Sequence, residues 1–253
     1  MPAKSSHGDR RFLVTELGAA GDEAILPPDE AHHLTRVLRL GAGDRVVVFD
    51  GRGREFLAEV ARAARGHAAV TLLAPAVPAA EPRVPFTVAQ AVLKGPAMDA
   101  AVRDATMIGA AAIEPIVTRH VDARLPALSR PATMERWRRI ALASAKQCRR
   151  AVVPAIGAPR PFGEWLRDAR HELTLVLVEP SAGAGAIPFR DALRGGTPAS
   201  AALVVGPEGG WEQAEIEEAA AAGCVPVTLG SLTLRADAVA LVAGTLFRTL
   251  VGD

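Results

Sequence analysis

Two rhythms of apolar and polar residues divide this chain. Up to residue 75 the apolar positions gather in short runs at 11–14, 45–49, 55–60 and 68–73, bounded by turn formers, which is the pattern of β-strands. Asp50-Gly51 separates the second run from the third and predicts a hairpin. Residues 29–40 carry Leu34, Val37 and Leu38 at helical spacing, with Pro27-Pro28 before and Gly41 after, so one helix is expected there. A small β-barrel with a single helix accommodates these elements. Pro75, Pro78, Pro82 and Pro85 then mark a short stiff linker. We place a boundary near residue 80 and expect domains at 1–78 and 79–253.

Beyond that boundary the pattern changes to apolar strands alternating with helices. Strands are predicted at 86–91, 113–117, 173–178, 201–205 and 225–229, and helices at 98–108, 133–149, 161–169, 211–222 and 236–250. Continuous apolar strands separated by helices imply a parallel sheet buried on both faces, so the second domain is α/β. The last helix is apolar nearly all round, with Ala238, Val239, Leu241, Val242, Leu246 and Phe247, and is expected to be covered on every side.

Composition narrows the function classes. With 49% hydrophobic and 23% charged residues among 253, the chain has the make-up of a folded globular protein. Its longest apolar stretch, 219–234, is broken by Gly223, Pro226 and Gly230, which argues against a membrane span. The first residues lack an apolar leader segment, so a cytoplasmic location is expected. Cys148 and Cys224 have no disulfide or metal-ligand spacing, and the six histidines are scattered, so no metal is expected.

A net charge of +1 hides an asymmetry. Residues 1–75 hold 10 basic and 10 acidic side chains, 76–160 hold 13 and 6, and 161–253 hold 6 and 12. The stretch 119–150 alone carries +7, counting Lys and Arg against Asp and Glu. A basic middle suits phosphate contacts.

The candidate chemistry lies in the acidic third. Neither a dinucleotide fingerprint nor a phosphate loop is present. A late glycine turn, Gly206-Pro207-Glu208-Gly209-Gly210, follows an apolar strand and leads into a helix bearing Glu212. Ligands in open α/β sheets sit at such strand ends, and glycines let them approach the backbone. Glu208 and Glu212 would repel an anion, so a neutral or cationic ligand is expected. Turns at 178–183 and 229–235 share the same position after their strands, and three such turns could converge on one pocket.

The residues around these turns resemble a known family. The glycine turn, the acidic helix after it and the run from Val227 to Ala238 are similar to the ribosomal small subunit methyltransferase E family. Matching residues occur in order along the chain: Arg10-Arg11-Phe12, His32 through Arg39, Phe49-Asp50-Gly51, Gln90 through Gly95, Arg136-Trp137 and Gln147-Cys148. The resemblance implies a PUA-like β-barrel domain followed by a SPOUT α/β domain with a deep trefoil knot. It also implies S-adenosylmethionine as methyl donor, a homodimer, and methylation of uridine N3 in 16S ribosomal RNA, with the assembled small ribosomal subunit as the expected partner. The chain departs from the family pattern at Leu232, where Arg is usual, at Ala236-Asp237, where Thr-Glu is usual, at Lys146 in place of Glu, and at Arg149-Arg150-Ala151 in place of Gly-Arg-Asn.

On that resemblance we assign residues to roles. Leu177, Leu229 and Leu234 would wall an adenine slot edged by Val178, Gly206, Gly230 and Ser231, with Pro207, Glu208, Gly209 and Gly210 completing the turn; core packing is the alternative for the leucines. Arg235 could stabilise the uracil oxygens, and Glu208 or Asp237 could take the N3 proton. An ion pair with Asp237 or Glu208 is the alternative for Arg235. RNA contacts are expected at Arg119, Arg136, Arg139, Gln147, Arg149 and Arg150, with Arg10, Arg11, Arg36 and Arg39 adding a second contact. Two other functions fit the same residues: a ribose 2′-O-methyltransferase, and a catalytically silent RNA-binding assembly factor.

Overall fold

The computed structural model describes residues 10–64, 66–121, 125–181 and 185–252. His7, Asp122, Arg124 and the end of the turn expected at 178–183 lie outside the described residues. The chain forms two compact units, one of residues 1–81 with 145–153, the other of 82–144 with 154–253.

The first unit is a curled, mixed five-stranded sheet in the order β1-β3-β4-β5-β2. Its strands are β1 (Arg11–Leu13), β2 (Glu23–Ile25), β3 (Arg45–Phe49), β4 (Glu55–Ala64) and β5 (His67–Pro75). The predicted hairpin joins β3 and β4 in antiparallel register. Asp50 makes it: Oδ1 accepts the Arg52 amide at 2.8 Å and the Arg54 amide at 3.1 Å. Gly51 sits at φ +73°, where a side chain is strained. Asp50→Ala is therefore expected to cost about 1 kcal/mol, read from the urea unfolding midpoint.

The expected helix is shorter than its pattern. Helix α1 (Pro28–His32) passes into a π-helical turn over His33–Val37. The wider turn moves Val37 and Leu38 off the inner face, leaving Leu34 fully buried while Val37 is 59% exposed. Residues 145–153, assigned to the second domain in the sequence reading, pack within the first unit. The Gly53 amide donates to the Ala151 carbonyl at 3.1 Å, and the Val153 amide to the Gly51 carbonyl at 3.0 Å.

The second unit is built on a parallel sheet. Its main strands are β6 (Phe86–Ala91), β7 (Ala112–Val117), β10 (Leu173–Leu177), β12 (Ala201–Val205) and β13 (Val225–Thr228). Short strands β8 (Ala155–Ile156), β9 (Arg160–Pro161) and β11 (Ile187–Pro188) lie at its margins, giving the order β11-β13-β10-β12-β6-β7-β8 with β9 beside β7. Every pairing is parallel. The helices are α2 (Pro96–Met107), α3 (Leu125–Leu128), α4 (Pro131–Gln147), α5 (Phe162–Asp168), α6 (Gln213–Ala221) and α7 (Ala236–Val251).

Alternating strand positions supply two cores. Ala89, Val176 and Val204 face one way, onto Phe162 and Trp165 of α5. On the other face Phe86 meets Phe247 of α7 edge-on, with ring centroids 5.6 Å apart. Gly244 lets α7 pack close against Ile108, because an added Cβ would lie 2.1 Å from Ile108 Cδ1. Helix α7 is not covered all round, contrary to expectation. Ala240, Ala243 and Phe247 are buried, whereas Leu241, Val242 and Leu250 are exposed along its other side. Among the described residues no helix is long and apolar enough to cross a membrane.

Candidate active site

Because β10, β12 and β13 run parallel and adjacent, their carboxyl ends deliver three turns to one edge of the sheet. These turns and the start of α7 enclose a cavity of about 440 Å³. Leu177, Val178, Gly206, Pro207, Glu208, Gly210, Leu229, Leu234, Arg235 and Asp237 line it, all of them named from the sequence. Gly209, Gly230 and Ser231 belong to the same turns without forming the wall. Glu179, Leu232 and Thr233, which belong to the turns expected to converge here, also line the cavity, as does Trp211, which was not anticipated. A tryptophan directly after a glycine turn is the signal that could have revealed Trp211.

The glycine turn is set by what packs against it. A Cβ on Gly206 would fall 2.7 Å from Trp211 Nε1, and that nitrogen donates to the Leu177 carbonyl at 2.9 Å. The Trp211 ring in turn lies 4.9 Å from the Phe162 ring. Trp211 thereby braces the turn after β12 against the end of β10.

The two acids of this region have separate tasks. Glu212 caps α6 in a capping box with Glu215, whose Oε1 accepts the Arg119 amide at 3.0 Å. Glu208 faces the cavity, and its Oε1 accepts the Lys94 amide at 2.9 Å. Among the described residues, Glu208 with Glu179 and Asp237 makes three carboxylates lining the cavity against the single guanidinium of Arg235. Such a lining favours a ligand carrying positive charge.

Arg235 forms an ion pair with Asp237, Nε to Oδ1 at 3.1 Å and Nη2 to Oδ2 at 3.2 Å. The pair holds the Asp237 carboxyl below the usual carboxylate range, chiefly through the Arg235 hydrogen bond, and pushes the Arg235 guanidinium higher for the same reason. Asp237 is accordingly a weakened base. Among the described residues no group of His, Cys, Asp and Glu comes together as a metal-binding set.

A family model described as an RNA methyltransferase domain matches residues 80–248, and one described as an RNA methyltransferase PUA domain matches residues 26–73. The ribosomal RNA small subunit methyltransferase E of Synechocystis sp. is 35% identical over 249 residues, covering 93% of this chain and 78% of that protein. This chain belongs to the ribosomal RNA small subunit methyltransferase E family. The family member from Mycobacterium bovis is 32% identical over 92% of this chain and 88% of its own length. A family member from Neisseria gonorrhoeae, crystallised bound to S-adenosyl methionine, superposes with a TM-score of 0.85 at 27% identity, covering 95% of this chain and 97% of that one.

Within this methyltransferase E family member the residues expected to meet RNA are not equivalent. Arg11 is buried, paired with Glu55 at 2.8 Å, and Nη2 donates to the Arg150 carbonyl at 3.1 Å. Arg150 is buried too, its Nε donating to Glu81 Oε1 at 3.0 Å. Each guanidinium is thus buried against a carboxylate, Arg11 on buried Glu55 and Arg150 on exposed Glu81, where the RNA reading expects it open to solvent. Arg10 is half-buried, and Arg136 pairs with Asp99. Arg36, Arg39, Arg119, Arg139, Gln147 and Arg149 are exposed. Lys146, where the family pattern has Glu, pairs with the buried Glu30. Leu232, where the pattern has Arg, lines the cavity and is 78% exposed.

Proposed function

We propose that this chain is an S-adenosylmethionine-dependent methyltransferase acting on N3 of a uridine in 16S ribosomal RNA, in the cytoplasm and as a homodimer. The observation that carries the cofactor reading is the convergence of three strand-end turns on a cavity with leucine walls and a carboxylate excess. The residues fit that cofactor. Leu177, Leu229 and Leu234 offer apolar walls for adenine, Gly206 and Gly210 expose backbone, and the carboxylates complement a sulfonium and an ammonium. When bound, the cofactor supplies a methyl group already activated on positive sulfur.

The chain's own residues then have one task, the imide proton and the charge left on the base. Glu208 is the acceptor we assign: the Lys94 amide fixes its Oε1, and Oε2 takes the proton. Asp237, weakened as a base, holds Arg235 in place, and Arg235 meets the developing negative charge on the uracil oxygens. Exposed Arg36, Arg39, Arg138, Arg139 and Arg149 are assigned to phosphates.

The trefoil knot is supported by strand order. β13 follows β11 and β12 in the chain yet lies between β10 and β11 in the sheet. The dimer is supported by the exposed leucines and valine of α7.

Nucleoside analysis tests the reaction. Small-subunit RNA from a deletion strain should lose a 3-methyluridine that the purified protein restores on undermethylated subunits; unchanged 3-methyluridine with a lost ribose methyl group sinks this reading in favour of 2′-O-methylation. Raising salt from about 50 to about 200 mM should weaken RNA binding about 10-fold or more by counterion release. Affinity for S-adenosylmethionine, measured by calorimetry across the same range, should stay nearly constant.

A further inference from the structure

His120 stands outside the cavity wall, yet it holds the turn that forms part of that wall. It follows β7, and its two ring nitrogens meet two different acceptors. Nδ1 lies 3.1 Å from the Gly210 carbonyl, and Nε2 lies 2.9 Å from Glu212 Oε1. Neutral imidazole carries one N–H and can donate to only one of them; imidazolium donates to both. The fit is close on the third side as well, since a Cβ on Gly209 would fall 2.9 Å from His120 Cβ.

We propose that His120 is a positioning residue for the cofactor turn, its imidazolium tying the Gly210 carbonyl to the Glu212 carboxylate so that residues 206–210 keep the shape that lines the cavity. This deepens the cofactor reading and rests on it.

The charged groups around His120 support the cationic form. Glu212 is paired with it directly, and Glu215 lies in the first turn of α6, bonded to the Arg119 amide. Glu179 approaches the far side of Gly210, where an added Cβ would be 3.0 Å from Oε1. Arg119 is the neighbouring cation on the same turn, and it opposes protonation. The hydrogen bond to Gly210, then Glu212, raises the His120 pKa above the ordinary histidine value. A raised pKa means that the tie is complete below the unfolded-state value and is lost as pH rises through the higher folded-state value. Cofactor affinity should therefore fall as pH rises through that raised value.

The test is calorimetry with S-adenosylmethionine at about pH 6 and about pH 9, on the natural protein and on His120→Gln, together with NMR titration of the His120 ring and the Gly209 and Gly210 amides. Wild-type affinity should drop about three- to five-fold between the two pH values, the scale of one exposed charge-assisted contact. His120→Gln, which keeps a donor but cannot titrate, should bind with no such slope. Its KM for the cofactor should rise at pH 6 with kcat at saturation retained. Parallel pH slopes in the two proteins overturn the proposal, as do Gly210 resonances that ignore the His120 titration. If neither protein binds the cofactor at any pH, the cofactor reading itself fails, and the NMR coupling alone decides whether the tie exists.

Discussion

Arg235→Ala is expected to lower methyl transfer by about 10²- to 10³-fold, the range seen when one preorganised donor is removed from a developing anion. Among the described residues Arg235 is the single cation lining the cavity, and its side chain is 83% exposed while paired with Asp237. Affinity for S-adenosylmethionine should change by less than about threefold, because the walls of the slot are leucines and backbone. Single-turnover transfer on undermethylated subunits, with calorimetry beside it, separates the two effects; a rise in cofactor Kd as large as the fall in rate would mean that Arg235 only shapes the pocket. Asp237→Asn should have a smaller effect of the same kind, since the amide oxygen still accepts one bond. The pH sign follows from the depressed Asp237 pKa: the pair is intact above the ordinary carboxylate range and breaks only as pH falls through the lower folded-state value. Acid should cost activity before it costs fold.

Gly206→Ala is expected to weaken cofactor binding by at least about 30-fold and to destabilise the protein by about 1–3 kcal/mol, the usual range for overpacking. The added methyl would meet Trp211 Nε1 at 2.7 Å and the ring carbons Cε2 and Cδ1 at 3.0 and 3.1 Å. The indole cannot yield cheaply, being bonded to the Leu177 carbonyl and packed on Phe162. Displacing it would disturb two of the three turns at once. Calorimetry and urea unfolding read the two consequences; wild-type cofactor affinity in this variant would show that the turn tolerates a side chain and is a plain connector.

The sheet was legible because its strands are buried on both faces. Ala201–Val205 is an uninterrupted apolar run and Phe86–Ala91 one broken only by Thr87 and Gln90, and both form strands with those same bounds. Glu23–Ile25, Ala155–Ile156, Arg160–Pro161 and Ile187–Pro188 were not legible, since two or three residues cannot establish a period. The cavity lining was legible at its glycines and leucines, whose backbone and apolar roles leave a local mark. Trp211 carries a local hint in its place after a glycine turn, but its bond to the Leu177 carbonyl crosses to another strand, and no local pattern encodes that partner. Arg11 and Arg150 misled for the same reason: a basic run reads as a phosphate surface until Glu55 and Glu81, distant in sequence, are brought against it. Leu241 and Val242 belong to a helix whose pattern asks for burial, and one chain does not provide it.

The return of residues 145–153 to the first unit bears on how the protein is made. During synthesis the N-terminal sheet emerges early, but Arg11 waits for the carbonyl of Arg150, and Glu81 waits for its guanidinium. The first unit is thus finished only after much of the second has left the ribosome. A fragment ending at Glu81 would carry the sheet without its closing segment, and a swap of PUA domains between relatives would have to exchange two separate stretches of gene together.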